Sequence, residues 1–217
     1  MHEHLFTIVN VSSLPGDRTS RAVIRDEALR LFADRGPDAV TIRDIASAAG
    51  VSPALVIRHY QSKDGLLEAV DDHVARLMEA VLGEVTTGRD RPFALASLPT
   101  LAGAVTSRLP PDSPVPAYLG RMLIGGGPAG AGLFRRLHAV SERTLAVLTR
   151  QGLADDGGDP PARAAFLLAS DLAVLMLRDR LADVLGTDPL SPGGIRRWGA
   201  QVLSVYGGGL AARPRQP

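Results

Sequence analysis

Arg58 and His59 follow the run Ser52-Pro53-Ala54-Leu55 by one helical turn, a pairing that core packing does not call for. A guanidinium at Arg58 can donate to a guanine edge or to a phosphate, and Ala54 and Leu55 are sized to meet thymine methyl groups. Arg43, upstream, is a second candidate for either contact. Chemistry of other kinds has no such constellation. There is no G-x-S-x-G and no H-E-x-x-H, and neither His73 nor His138 has a partner at metal-ligand spacing. His2 and His4 sit in a polar terminal stretch and are read as part of a disordered extension. No catalytic residue, metal site or cofactor is expected.

Two short helices must position these side chains. Thr41 is a good N-cap, because its hydroxyl can accept an orphan backbone N–H. Ile42, Ile45, Ala46 and Ala49 then recur at i, i+3, i+4, i+7, giving one apolar stripe. Gly50 follows, where a left-handed residue ends a helix without a Cβ penalty. Ser52 caps the next helix and Pro53 takes its first position, where no N–H is needed. Val51, Val56 and Tyr60 can pack that helix back onto the domain, which turns Pro53, Ala54, Leu55, Arg58 and His59 outward. The pattern is a helix-turn-helix whose second helix is shaped for a major groove.

The run T-x-R-D-I-A-x-x-A-G-V-S, followed by R-H-Y-x-S-K-D-x-L-L, resembles the DNA-binding domain of TetR-family (tetracycline-repressor-like) transcriptional regulators. The close resemblance covers roughly residues 20–70. It implies that Ser52, Pro53, Ala54, Leu55, Arg58 and His59 present to DNA, while Thr41 and Lys63 hold phosphates. Lys63 is the only lysine among 24 basic residues, and it stands where this family places a phosphate-contacting lysine. One position departs: Ile57 replaces the tyrosine, itself a phosphate contact, that the family usually carries.

Around this core, Thr19 or Ser20 should cap a first helix running to about Arg35, with Ala22, Val23, Leu29, Phe32 and Ala33 as its apolar face. Arg18, Arg21 and Arg25 near its start form either a solvated face or phosphate contacts. Residues 1–17, ending in Ser-Ser-Leu-Pro-Gly, read as a mobile arm. The helix-turn-helix domain is placed at 18–64 and a second domain at 65–217. Leu66, Val70, Val74, Leu77 and Val81 predict one amphipathic helix from Lys63 to about Leu82, roughly 30 Å long at 1.5 Å per residue.

Breaker clusters then separate Ala- and Leu-rich stretches near 93–108, 115–124, 129–152, 161–185 and 192–210, which lack the alternation of strands. Gly125–Gly130 formally fits G-x-G-x-x-G, but it follows a helical segment and no acid stands about 20 residues on, so a loop between helices is the better reading. Ala164–Leu177 is apolar nearly all round except for Ser170 and Asp171, so one face should meet its own domain and another a second subunit. Phe166, Leu168, Leu172 and Leu175 are candidates there. The last helix adds Trp198 and Val202 on a stripe with Ile195 and Val205. The resembling family pairs its last two long helices in a four-helix dimer interface. Arg121, within an apolar helix, is the candidate polar contact for a ligand.

Composition bounds the rest. A formal charge of +1 over 217 residues gives nothing in favour of wholesale coating of nucleic acid, so a basic function must be local. Absence of cysteine excludes disulfide and thiol chemistry. No apolar run reaches bilayer length, and residues 1–16 lack the charged flank and cleavage pattern of a signal peptide. The expectation is an all-α, cytoplasmic homodimer in which a three-helix DNA-binding domain precedes a helical effector-binding and dimerisation domain. It would bind palindromic double-stranded operator DNA as a repressor and release it on binding a small apolar effector. The alternatives are an activator or ligand-independent regulator, or a helical enzyme or cofactor-binding protein with an incidental helix-turn-helix.

Overall fold

The computed structural model describes residues 15–87, 108–110, 112–152, 154–155 and 157–208. Among these residues there is no strand. The helices are α1 (Pro15–Arg35), α2 (Ile42–Ala48), α3 (Pro53–Tyr60), α4 (Lys63–Thr87), α5 (Val115–Ile124), α6 (Gly127–Arg150), α7 (Pro160–Met176), α8 (Arg178–Leu185) and α9 (Pro192–Gly208), with a 3-10 turn at Pro37–Ala39. The expected segment near 93–108 lies outside the described residues except for its last residue, as does most of the arm. Compact packing divides the chain within α4, between Val70 and Asp71.

In the first unit, α1 begins at Pro15, not at Thr19 or Ser20. Proline needs no N–H partner in a first turn, so the Pro-Gly pair opens the helix that it was expected to precede. Ile24, Ala28, Leu29, Phe32 and Ala33 form the buried face. Val23, expected on that face, is 45% exposed. One residue rotates a helical position by about 100°, and Ile24 takes the inward place. Helix α1 packs against α2 and α3, and α2 against α3.

Thr41 and Asp44 form a reciprocal capping box at the start of α2. The Thr41 backbone N–H donates to Asp44 Oδ2 at 2.8 Å, and the Asp44 N–H donates to Thr41 Oγ1 at 3.2 Å. The Thr41 hydroxyl also donates to Asp44 Oδ2 at 2.6 Å, and that bond, with the Thr41 backbone N–H, holds the Asp44 carboxyl below its ordinary range. The helix ends in a Schellman arrangement: Gly50 at φ 66°, its N–H on Ser47 O, and the Val51 N–H on Ala46 O at 2.9 Å. The turn from α3 into α4 is equally tight. A Cβ at Gly65 would run into the backbone carbonyl of Tyr60, so the position requires glycine for a close approach, not for its dihedrals.

In the second unit, α6 packs on both α5 and α7, and α5 also touches α7. Buried Ser141 of α6 donates to Ala164 O of α7 at 2.9 Å. The helical stretch near 161–185 is two helices, α7 and α8, bent by 73° at the break at Leu177. Just past the bend, Arg178 Nε and a terminal nitrogen donate to the two Asp188 oxygens at 2.9 and 2.7 Å, tying the start of α8 to the loop that follows it. That bidentate pair holds the Asp188 carboxyl below its ordinary range. No single helix among the described residues is long and apolar enough to cross a membrane.

Candidate nucleic-acid interface

The caps fix where each side chain of α3 points. Ser52 Oγ accepts the Leu55 N–H at 3.2 Å, and Pro53 occupies the first turn. Val56 and Tyr60 are buried, which anchors the inner face. Tyr60 Oη donates to Arg21 O at 2.6 Å, and the Arg21 guanidinium lies 5.2 Å from the Tyr60 ring centroid. Burial raises the Tyr60 hydroxyl above its ordinary range, so it remains a donor.

The outward face then carries Ser52, Pro53, Ala54 and Arg58, all exposed, with Leu55 half-buried. Two residues differ from the sequence reading. His59 is half-buried, its ring edge-on to Tyr60 at 6.3 Å and 61°, so it is partly turned into the domain. Ile57, set apart in the sequence as a departure, is 43% exposed and adds apolar surface beside Arg58. Its β-branched side chain gave no periodic signal, because a short helix of eight residues has too few turns to distinguish an edge position.

Thr41 and Arg43 are exposed on α2. Lys63 is half-buried, and its Nζ donates to Pro37 O at 3.0 Å and to Val40 O at 3.3 Å. The ammonium has three donors, so two close the turn before α2 and one remains for another acceptor. Arg25 is paired with Asp26 at 2.6 Å. Arg18 lies where side chains are not described. The described residues include no cluster of His, Asp or Glu that could hold a metal ion.

The remaining predicted positions separate by burial. Leu168, Leu172 and Leu175 are buried within this chain's own fold, so they are core and not exposed interface. Phe166 is 58% exposed, on a stripe with Ala162 and Ala169. Trp198 and Val202 of α9 are half-buried, and the Val205 side chain lies outside the described residues. Arg121 stands on the exposed face of α5 with Ala117 and Ile124, opposite Val115, Tyr118, Leu119 and Met122, and so does not point into that helix's buried side.

One polar cluster went unread in the sequence. Asp71, 3% exposed, accepts from Tyr118 Oη at 2.6 Å, and Arg136 reaches it at 3.4 Å while donating to Asp72 at 3.0 Å. Burial and the neighbouring Asp71 charge push the Tyr118 hydroxyl far upward, keeping it a donor. The only signal was that Asp71 sits between Val70 and Val74, beside the apolar stripe of α4.

A capped helix-turn-helix presenting arginine and small apolar groups, joined to a helical second unit without metal clusters among the described residues, defines a DNA-binding regulator. Comparison with known proteins gives the family. Residues 24–70 match the model described as bacterial regulatory proteins, tetR family, and residues 112–211 match a tetracyclin repressor-like C-terminal domain. The HTH-type transcriptional regulatory protein RaaS of Mycobacterium tuberculosis is 36% identical over 151 residues, 70% of this chain and 67% of that one. Among solved structures, the fatty acid degradation regulator FadR of Bacillus halodurans has a TM-score of 0.64 at 15% identity, covering 93% of this chain and 100% of that one. SmeT, repressor of the Stenotrophomonas maltophilia multidrug efflux pump SmeDEF, has a TM-score of 0.57 at 23% identity, covering 86% and 89%. At those identities the two structures show the shared fold. The chain belongs to the TetR family of transcriptional regulators, and its relatives are regulators, not enzymes.

Proposed function

We propose that the chain is a homodimeric repressor that acts inside the cell, binds a palindromic operator and is released from it by a small, largely apolar ligand. The observation that carries the DNA half is the outward face of α3, where Arg58 stands among Ser52, Pro53, Ala54, Leu55 and Ile57 on a helix capped at its start. In this reading Arg58 donates to guanine or phosphate, and Ala54, Leu55 and Ile57 meet thymine methyls. Arg43 takes either role, and His59 contributes only through its outer edge. Thr41 and the remaining donor of Lys63 hold phosphates and fix register without reading sequence.

The dimer half is supported by the exposed stripe of Ala162, Phe166 and Ala169 on α7, together with half-buried Trp198 and Val202 on α9. Selection from a random duplex library by the purified protein tests the whole reading. The enriched sequences should contain an inverted repeat with half-sites about one turn of B-DNA apart or slightly more. Enrichment of one unrepeated element, or none above background, overturns it.

A further inference from the structure

Between Leu167 and Met176 of α7, the exposed residues are Ala169 and Asp171. Ala169 belongs to the outward stripe that includes Phe166. Asp171 does not. At about 100° per residue it lies roughly 140° around the helix from Phe166, but only about 20° from Ala164 and about 40° from Leu175. Both of those neighbours are buried. A side chain on the inward face of a packed helix is accessible only where packing leaves room, so an open space lies against α7 at this point.

The side of that space formed by α7 is apolar. One turn to either side of Asp171 stand Leu167, Leu168, Val174 and Leu175. The protein around the carboxyl withdraws water from it and lifts it to about 6, with no charged or hydrogen-bonding partner contributing. Several basic groups of the helices packed on α7 are committed elsewhere, Arg178 and Arg180 of α8 to Asp188 and Asp183, and Arg135 and Arg150 of α6 are exposed. On α6, Arg136 reaches Asp71 and Asp72, Arg143 reaches Glu79, and His138 meets Pro161 O and Glu142. On α5, Arg121 is on the exposed face. A carboxylate left unneutralised amid leucines is costly, and a cation or strong donor placed beside it removes that cost.

We infer that Asp171 is the polar anchor of the effector site, and that the effector joins a cationic amine to an apolar body. This inference rests on the ligand-released reading above. Three octyl compounds of equal chain length isolate the head group: octylamine, octanol and octanoate. Their affinities for the full-length protein without DNA are read from the fluorescence of Trp198, the only tryptophan, or by calorimetry. Octylamine should bind at least tenfold more tightly than octanoate, with octanol between them. Asp171→Asn should abolish the preference and Asp171→Glu should keep it. Failure of octylamine to bind, octanoate binding equally well, or a preference that survives in Asp171→Asn each overturns the inference. A parallel shift assay on the selected duplex without octyl compounds separates the two readings. Amine preference without duplex binding defeats the regulator reading alone, and duplex binding without amine preference defeats this inference alone.

Discussion

At the scale of single residues, two basic side chains in the DNA-binding unit should respond differently to removal. Lys63 Nζ closes onto two carbonyls of the turn before α2, whereas Arg58 stands on the outward face. Lys63→Ala should therefore lower stability by about 1.5–3 kcal/mol, the range for hydrogen bonds that involve a charged group. It should also reduce the salt slope of DNA binding by about 1 for every duplex. Arg58→Ala should relax sequence preference. Melting curves and salt titrations on two duplexes check both, and a Lys63→Ala protein with changed preference but an intact slope would refute the assignment. Asp171 gives a pH signature. Its folded carboxyl titrates near 6 against an ordinary 3.8, so the folded state binds the proton more tightly. The resulting contribution favours folding at pH values below about 4 and is lost as pH rises through about 6. Asp171→Asn, neutral throughout, should gain stability over wild type at pH 7.5 and little or none at about pH 3, below the ordinary 3.8. Equal gains at both pH values would show that desolvation does not act on this group.

At the scale of elements, the parts legible in the sequence are those fixed by neighbours in the chain. The Thr41 and Ser52 caps, the Gly50 turn and the Pro53 start each depend on residues within one helical turn, and each is present. What was not legible depends on distant partners. The bidentate pair of Arg178 needs Asp188, ten residues further along the chain. The orientation of α7 is another case, because a helix apolar nearly all round carries no moment to say which stripe its own domain takes. Leu168, Leu172 and Leu175 face inward, leaving Phe166 outward. The two sets should respond oppositely. Phe166→Glu should yield a folded monomer with near-native melting in its monomeric form. Leu172→Ala should cost about 2–5 kcal/mol, as buried leucine truncations do, without placing a charge in the interface. Sedimentation and thermal melts distinguish these outcomes, and a Phe166→Glu dimer would remove α7 from the interface.

At the scale of the whole molecule, α4 belongs to both compact units, since the division falls inside it at Val70 and Asp71. An effector can relieve repression only by binding the DNA-incompetent arrangement more tightly. Coupling of roughly 1–3 kcal/mol would give about 5–150-fold relief. The proposed lever is α4, so Arg76→Gly, at an exposed position in its middle, should weaken coupling more than it weakens either binding event. Its local cost is about 1 kcal/mol from helix propensity. Effector titrations of wild type and variant, with and without duplex, measure that coupling, and an unchanged value in the variant would acquit the helix. The central claim is that two copies of α3 read one inverted repeat together. Hydroxyl-radical footprinting on the selected duplex, with stoichiometry from sedimentation of the same complex, tests it most directly. The account predicts two protected half-sites on one face of the DNA, about one helical turn apart or slightly more, bound by two protomers and lost together in Arg58→Ala. One protected half-site bound by one protomer would contradict it.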